Sequence, residues 1–111
     1  MDINEKYIDL DDGLSRLGGN MTLYKRLLGR FVDGNHYDAL DNAIQSGNME
    51  EASHQAHTLK GVSANLSLVK ISSAALELEQ KIKNNLDYSG SLTELKQIFD
   101  TTVEQIAEII N

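Results

Sequence analysis

His54-Gln55-Ala56-His57-Thr58-Leu59-Lys60-Gly61-Val62-Ser63-Ala64-Asn65-Leu66 is the stretch from which the rest of the chain can be read. Wound as an α-helix at about 100° per residue, it separates into two faces. Ala52, Leu59, Val62 and Leu66 fall on one side as a core-facing stripe, and His57 falls on the other. Lys60 stands one turn on, at i+3, within reach of a group attached to the imidazole. Gly61 and Ala64, at i+4 and i+7, share the histidine's side. An interior helix glycine costs about 1 kcal/mol relative to alanine. That cost makes sense where something large must come close to the helix. The outer face thus carries a nucleophilic imidazole, an adjacent cation and a backbone without bulky side chains.

Outward from this stretch the pattern stays helical. Asp9 or Asp11 can start a short helix that closes at Gly18-Gly19. Asn20 is placed to cap the next, where Leu23, Tyr24, Leu27, Leu28 and Phe31 make an amphipathic repeat. Gly34-Asn35 breaks or kinks it, and Tyr37, Leu40 and Ile44 resume the stripe. Gly47-Asn48 is a stop and restart, with Asn48 and Glu51 spaced as a capping box before a histidine helix over about residues 49–65. Ser67 is placed to cap a further helix, in which Leu68, Ile71, Ala75, Leu78 and Ile82 repeat at helical spacing. Asn84-Asn85 through Gly90 is turn-like, and Ser91 with Glu94 is spaced as another capping box. Leu92, Leu95, Phe99, Val103, Ile106 and Ile110 form the last stripe.

No segment alternates as a strand would, so the expectation is all-α. Long helices with short connections pack as antiparallel neighbours. The expected fold is an antiparallel up-down four-helix bundle with an additional short N-terminal helix. It fills residues 1–111 as a single domain, with 1–8 as a loose lead-in.

Composition excludes several classes. The chain has no cysteine, hence no disulfide framework and no thiolate chemistry, and no proline to interrupt helices. Its net charge of −7 argues against nonspecific binding to nucleic acid or anionic membrane. No apolar run approaches the ~20 residues of a membrane span, and the acidic N-terminus lacks the pattern of a signal peptide. A cytoplasmic protein, or the cytoplasmic piece of a larger one, is expected.

Ala56-His57-Thr58-Leu59-Lys60-Gly61, followed by Ser63-Ala64-Asn65-Leu66, resembles the signature of histidine-containing phosphotransfer (HPt) domains. Upstream, Gly13 through Asn20, then Leu23-Tyr24 and Leu27-Leu28 to Phe31, is similar to that family's first segment. Ala74-Ala75-Leu76-Glu77-Leu78-Glu79 is similar to its next helix, so the resemblance spans roughly residues 9–84. One position departs: the family often has glycine ten residues after the histidine, where this chain has Ser67.

The resemblance implies a phosphorelay carrier in two-component signal transduction. His57 would accept a phosphoryl group from a receiver-domain aspartate and pass it on, with Lys60 neutralising the phosphoryl oxygens. The partners it implies are response-regulator receiver domains and a hybrid sensor histidine kinase, with Mg2+ supplied by the receiver and none held by this chain. A monomer is expected.

The residue chemistry agrees with such a role. Imidazole offers a neutral nucleophile near pH 7, and phosphoryl transfer is catalysed mainly by positioning and charge stabilisation. The sequence has no Gly-rich nucleotide loop and no acidic magnesium cluster, which fits a carrier and not a kinase. Gly61, Ala64, His54 and Lys83 are the expected partner-binding residues, His54 as a solvated side chain shaping the contact. His36 is assigned no role.

Two other readings stand beside this one. Glu51-x-x-His54 matches one ligand pair of a di-iron bundle, but a second such pair is missing. The other is an HPt-like docking module without transfer, against which the presence of both His57 and Lys60 argues.

Overall fold

The computed structural model of the protein describes residues 6–111. Residues 1–5, most of the expected loose lead-in, lie outside the described residues. Tyr7 and Ile8 belong to that segment yet are engaged: Ile8 packs on the core and the Lys70 ammonium sits over the Tyr7 ring at 4.4 Å.

Among the described residues there are six helices and no strand: α1 (Leu10–Arg16), α2 (Met21–Asp33), α3 (His36–Gln45), α4 (Met49–Asn65), α5 (Val69–Lys83) and α6 (Ser89–Ile110). Local chemistry explains most of the boundaries. The side chains of Asp9, Asn20 and Asn48 accept hydrogen bonds from the backbone N–H three residues on, at 3.2, 3.0 and 3.1 Å, satisfying first-turn donors of α1, α2 and α4. The reciprocal half of the Asn48–Glu51 box is not made, because Glu51 accepts from Gln55 instead. The break after α2 falls at Gly34-Asn35, with Asn35 left-handed at φ 56°. It splits what would otherwise be one long leg into α2 and α3.

Successive helices from α3 to α6 pack side by side, joined by short connections at 46–48, 66–68 and 84–88, so they run antiparallel. α2 lies on α6, and α1 on α2. The most extensive contact is between α4 and α5, both of which bury alanines: Ala52 and Ala56 on one, Ala74 and Ala75 on the other. Leu59, Leu78, Leu95 and Ile106 are fully buried in the core between the helices. The buried stripe of α4 is Ala52, Ala56, Leu59 and Ser63; the expected Val62 sits at its edge, half-buried.

Two serines do not do what their spacing predicts. Ser67 does not cap α5, whose first turn has no side-chain cap. It takes a left-handed φ of 59° instead, the conformation for which glycine is the default, and this accounts for the glycine often found there in the HPt family. Its hydroxyl donates to Asp12 Oδ2 at 2.6 Å, and its carbonyl accepts from the Asp9 N–H at 2.9 Å. The α4–α5 turn is thereby tied to α1. Ser91 does not cap α6 either, because the helix begins two residues earlier, at Ser89. Ser91 is buried and donates to Glu77 Oε2 at 2.8 Å, while Asp87 accepts from the Ser89 N–H. A third anchor is Tyr24, whose buried hydroxyl donates to the Leu66 carbonyl at the end of α4 at 2.7 Å.

Candidate functional site

Midway along α4, the core stripe holds one side of the helix and leaves His57 facing out, its side chain 61% exposed. The ring is nevertheless anchored. Its Nδ1 lies 3.1 Å from Oε2 of Glu79, on the neighbouring α5. Glu79 sits at the edge of the buried stripe Ile71, Ala75, Leu78 and Ile82, and only 5% of its side chain is exposed.

A buried carboxylate needs partners, and three groups supply them. Lys83, one turn along α5, places Nζ 3.0 Å from the same Oε2. Lys60, one turn along α4 from His57, places Nζ 4.0 Å from Oε1. The imidazole is the third. Burial pushes the Glu79 carboxyl up, but the Lys83 hydrogen bond and charge, with His57 behind them, outweigh it and hold the group below the usual glutamate range. An ionised carboxylate only accepts hydrogen bonds, so Nδ1 must be the protonated nitrogen. In the neutral ring Nε2 then carries the lone pair, and among the described residues no hydrogen bond is made to it.

Beside the ring runs an open groove of about 310 Å³ lined by Glu50, Ser53, His54, His57, Glu79 and Lys83. Gly61 and Ala64 continue the same face of α4, and a methyl group added at Gly61 would meet no neighbouring atom within 4 Å. The structure therefore brings His57, Lys60, Lys83 and His54 together and leaves the face beyond them low and open. Lys83 is more than a solvated helix-end lysine, since it neutralises Glu79. Glu79 is the residue that sequence reasoning did not single out. The available signal was a glutamate beside the apolar stripe of α5 with a lysine at i+4. Glu51 and His54 are not joined by further metal-binding residues: among the described residues, no group of three or more His, Cys, Asp or Glu could hold a metal.

A family model described as the Hpt domain matches residues 34–109, more than half of the chain. The chain belongs to the Hpt domain family. The matched segment runs from the α2–α3 break to the end of α6, and the residues of α1 and α2 lie outside it. No curated protein and no solved structure matches the chain. Membership places the chain in the phosphorelay histidine-phosphotransfer family, whose domains interact with receiver domains and kinases of two-component systems.

Proposed function

We propose that this Hpt domain carries a phosphoryl group on Nε2 of His57, taking it from a receiver-domain aspartyl phosphate and delivering it to a second receiver. The observation that carries the reading is the His57–Glu79 contact: one ring nitrogen is held by a buried carboxylate while the ring stays exposed. In the accepting step the Nε2 lone pair attacks phosphorus, the N–P bond forms, and the aspartate leaves with the P–O bonding pair. No general base is needed. Lys60 is the cation that moves onto the phosphoryl oxygens, and Lys83 faces the same groove. Gly61 and Ala64 leave room for the receiver, and His54 shapes the rim of its docking face.

The receiver brings the Mg2+ that its own aspartate chemistry needs. A hybrid sensor histidine kinase is the proposed source of the phosphate, and the domain acts as a cytoplasmic monomer. Among the described residues no helix is long and apolar enough to cross a membrane.

The test is to incubate the chain with radiolabelled phospho-receivers and map the label. Label on His57 that is absent from a His57→Ala variant supports the reading. A chain that binds receivers but takes no label from any donor would be a docking module, and the reading would fall.

A further inference from the structure

Away from the His57 cluster, we propose that the groove between α2 and α4 is a binding site for a small amphipathic anion, a compound with a flat apolar body and one carboxylate. The groove holds about 410 Å³ and is lined chiefly by Leu27, Arg30 and Phe31 of α2 and by Val62, Asn65 and Leu66 at the end of α4. It follows from how the helices pair. α2 packs on α6, while α3 takes the place against α4, and the break at Gly34-Asn35 allows the change of partner. α2 and the end of α4 are joined where the Tyr24 hydroxyl meets the Leu66 carbonyl, and the groove opens beside that joint.

Its walls suit a flat apolar body. Phe31 and Leu66 are buried and form the floor, and Leu27 and Val62 are half-buried. The His36 ring, which also lines the groove, lies against Phe31 with the centroids 5.6 Å apart and extends the aromatic surface. Mostly apolar walls with a few polar groups at the edge are how small-molecule sites are built. Here the edge groups are Arg30 and Asn65, both exposed. Among the described residues neither side chain makes a hydrogen bond or an ion pair, so the guanidinium and the amide are both open to a ligand.

Charge selects the ligand. The chain carries a net −7, and its other large grooves reflect that. The one between α5 and α6 holds Glu77 and Glu94, and the one beside His57 holds Glu50 and Glu79. The α2–α4 groove has no carboxylate and one guanidinium. A guanidinium presents paired N–H donors that match a carboxylate in its own plane. A cation-bearing or doubly acidic compound gains nothing here, whereas a single carboxylate on an apolar body satisfies both the wall and the edge. The groove shares no residue with the His57–Glu79 cluster, so the site stands apart from the carrier reading.

The test titrates the whole chain, labelled on its leucine and valine methyl groups, with naphthoate and with naphthylmethanol, which keeps the ring body and lacks the charge. NMR shifts of the Leu27, Val62 and Leu66 methyls are followed. Naphthoate is expected to move them with a Kd of about 1 mM or tighter, and the neutral alcohol to bind about tenfold more weakly. Arg30→Gln should weaken naphthoate about tenfold and leave the alcohol unchanged, and so should Asn65→Asp, which sets a carboxylate at the edge. Both positions are exposed, so both variants should fold. Lys25→Gln, on the same helix but not lining the groove, should change neither. Equal weakening by Lys25→Gln would reduce the effect to general charge attraction and overturn the proposal. Naphthoate shifts scattered outside the groove would overturn it too. Groove methyls that answer a phospho-receiver, or the concentration of the chain alone, and neither small probe would make the groove a contact with protein, and the proposal would fall.

Discussion

Lys60 Nζ and Glu79 Oε1 stand 4.0 Å apart across the α4–α5 interface, close enough for charge attraction and too far for a hydrogen bond. The side chain of Lys60 is 29% exposed, so it is neither locked into the core nor free in water. Its ammonium, one helical turn from His57, is thus held by a loose ion pair.

Lys60→Ala is therefore expected to fold normally, accept phosphate more slowly and hold it for a shorter time. Removing a charge-stabilising donor costs about 10²–10³ in rate at a rigid, dry site, and the loss here should be smaller because water reaches the site. Uptake from a phospho-receiver and phosphohistidine lifetime are the measurements. Unchanged values for both would reduce Lys60 to a surface lysine.

Substitutions at Gly61 test docking apart from chemistry. A Cβ there meets open space, so Gly61→Ala should leave stability equal or raise it by up to about 1 kcal/mol. Gly61→Gln should also fold, yet it would stand one turn from His57 and hold a receiver away, and small misplacements are expensive in transfer geometry. Transfer from a phospho-receiver should drop strongly, while loading from phosphoramidate should change little. Equal loss with both donors would indicate damage at His57 itself. No loss with either would place the docking face elsewhere.

Gly13 and Tyr24 test how α1 is tied to the functional helix. A Cβ at Gly13 would lie 2.5 Å from the Tyr24 hydroxyl oxygen and 2.6 Å from the ring carbon bearing it. Overpacking of this kind costs about 1–3 kcal/mol, so Gly13→Ala should lower the urea midpoint accordingly. Tyr24→Phe leaves the Leu66 carbonyl without its buried donor and should cost a similar amount, about 1–3 kcal/mol. Because the ring carbon also clashes, Tyr24→Phe should not rescue Gly13→Ala. Rescue would mean that the clash is with the hydroxyl alone.

Glu79 also predicts a pH dependence of stability. Its carboxyl is more acidic in the folded chain than the usual glutamate, so the unfolded chain binds more protons through this window, and stability rises with pH. The contribution is fully present above about pH 4.3, the unfolded value, and is lost as pH falls through the folded one. Asp12, bonded to Ser67 and Arg16, and Asp87, bonded to Ser89, are lowered as well. Urea unfolding of Glu79→Gln across the acid range should show a reduced slope that does not vanish. A slope identical to wild type would show that Glu79 is not stabilised in its ionised form.

What could be read from the sequence was local. The 3.6-residue repeat sets which side of a helix is buried, and the caps Asp9, Asn20 and Asn48 act within one turn of themselves. For that reason the histidine helix falls at Met49–Asn65, and His57, Gly61 and Ala64 share its uncovered face. The same local logic misplaced Ser67 and Ser91. A serine before a helix looks like a cap whether or not a distant carboxylate competes for its hydroxyl, and Asp12 and Glu77 do compete.

Only the tertiary structure decided what stands behind the imidazole. Glu79 lies 22 residues from His57, and nothing in either helix alone says that the two meet. Their meeting depends on the rotation and axial register with which α4 and α5 pack, a register set by the buried residues of both helices, among them Ala56 and Leu59 on α4 and Ala75 and Leu78 on α5. The sequence by itself determined a helix with an exposed histidine and a lysine one turn away. Packing then put a carboxylate against one ring nitrogen and left the other open, because a contact across an interface belongs to the fit of two surfaces and is written in neither of them.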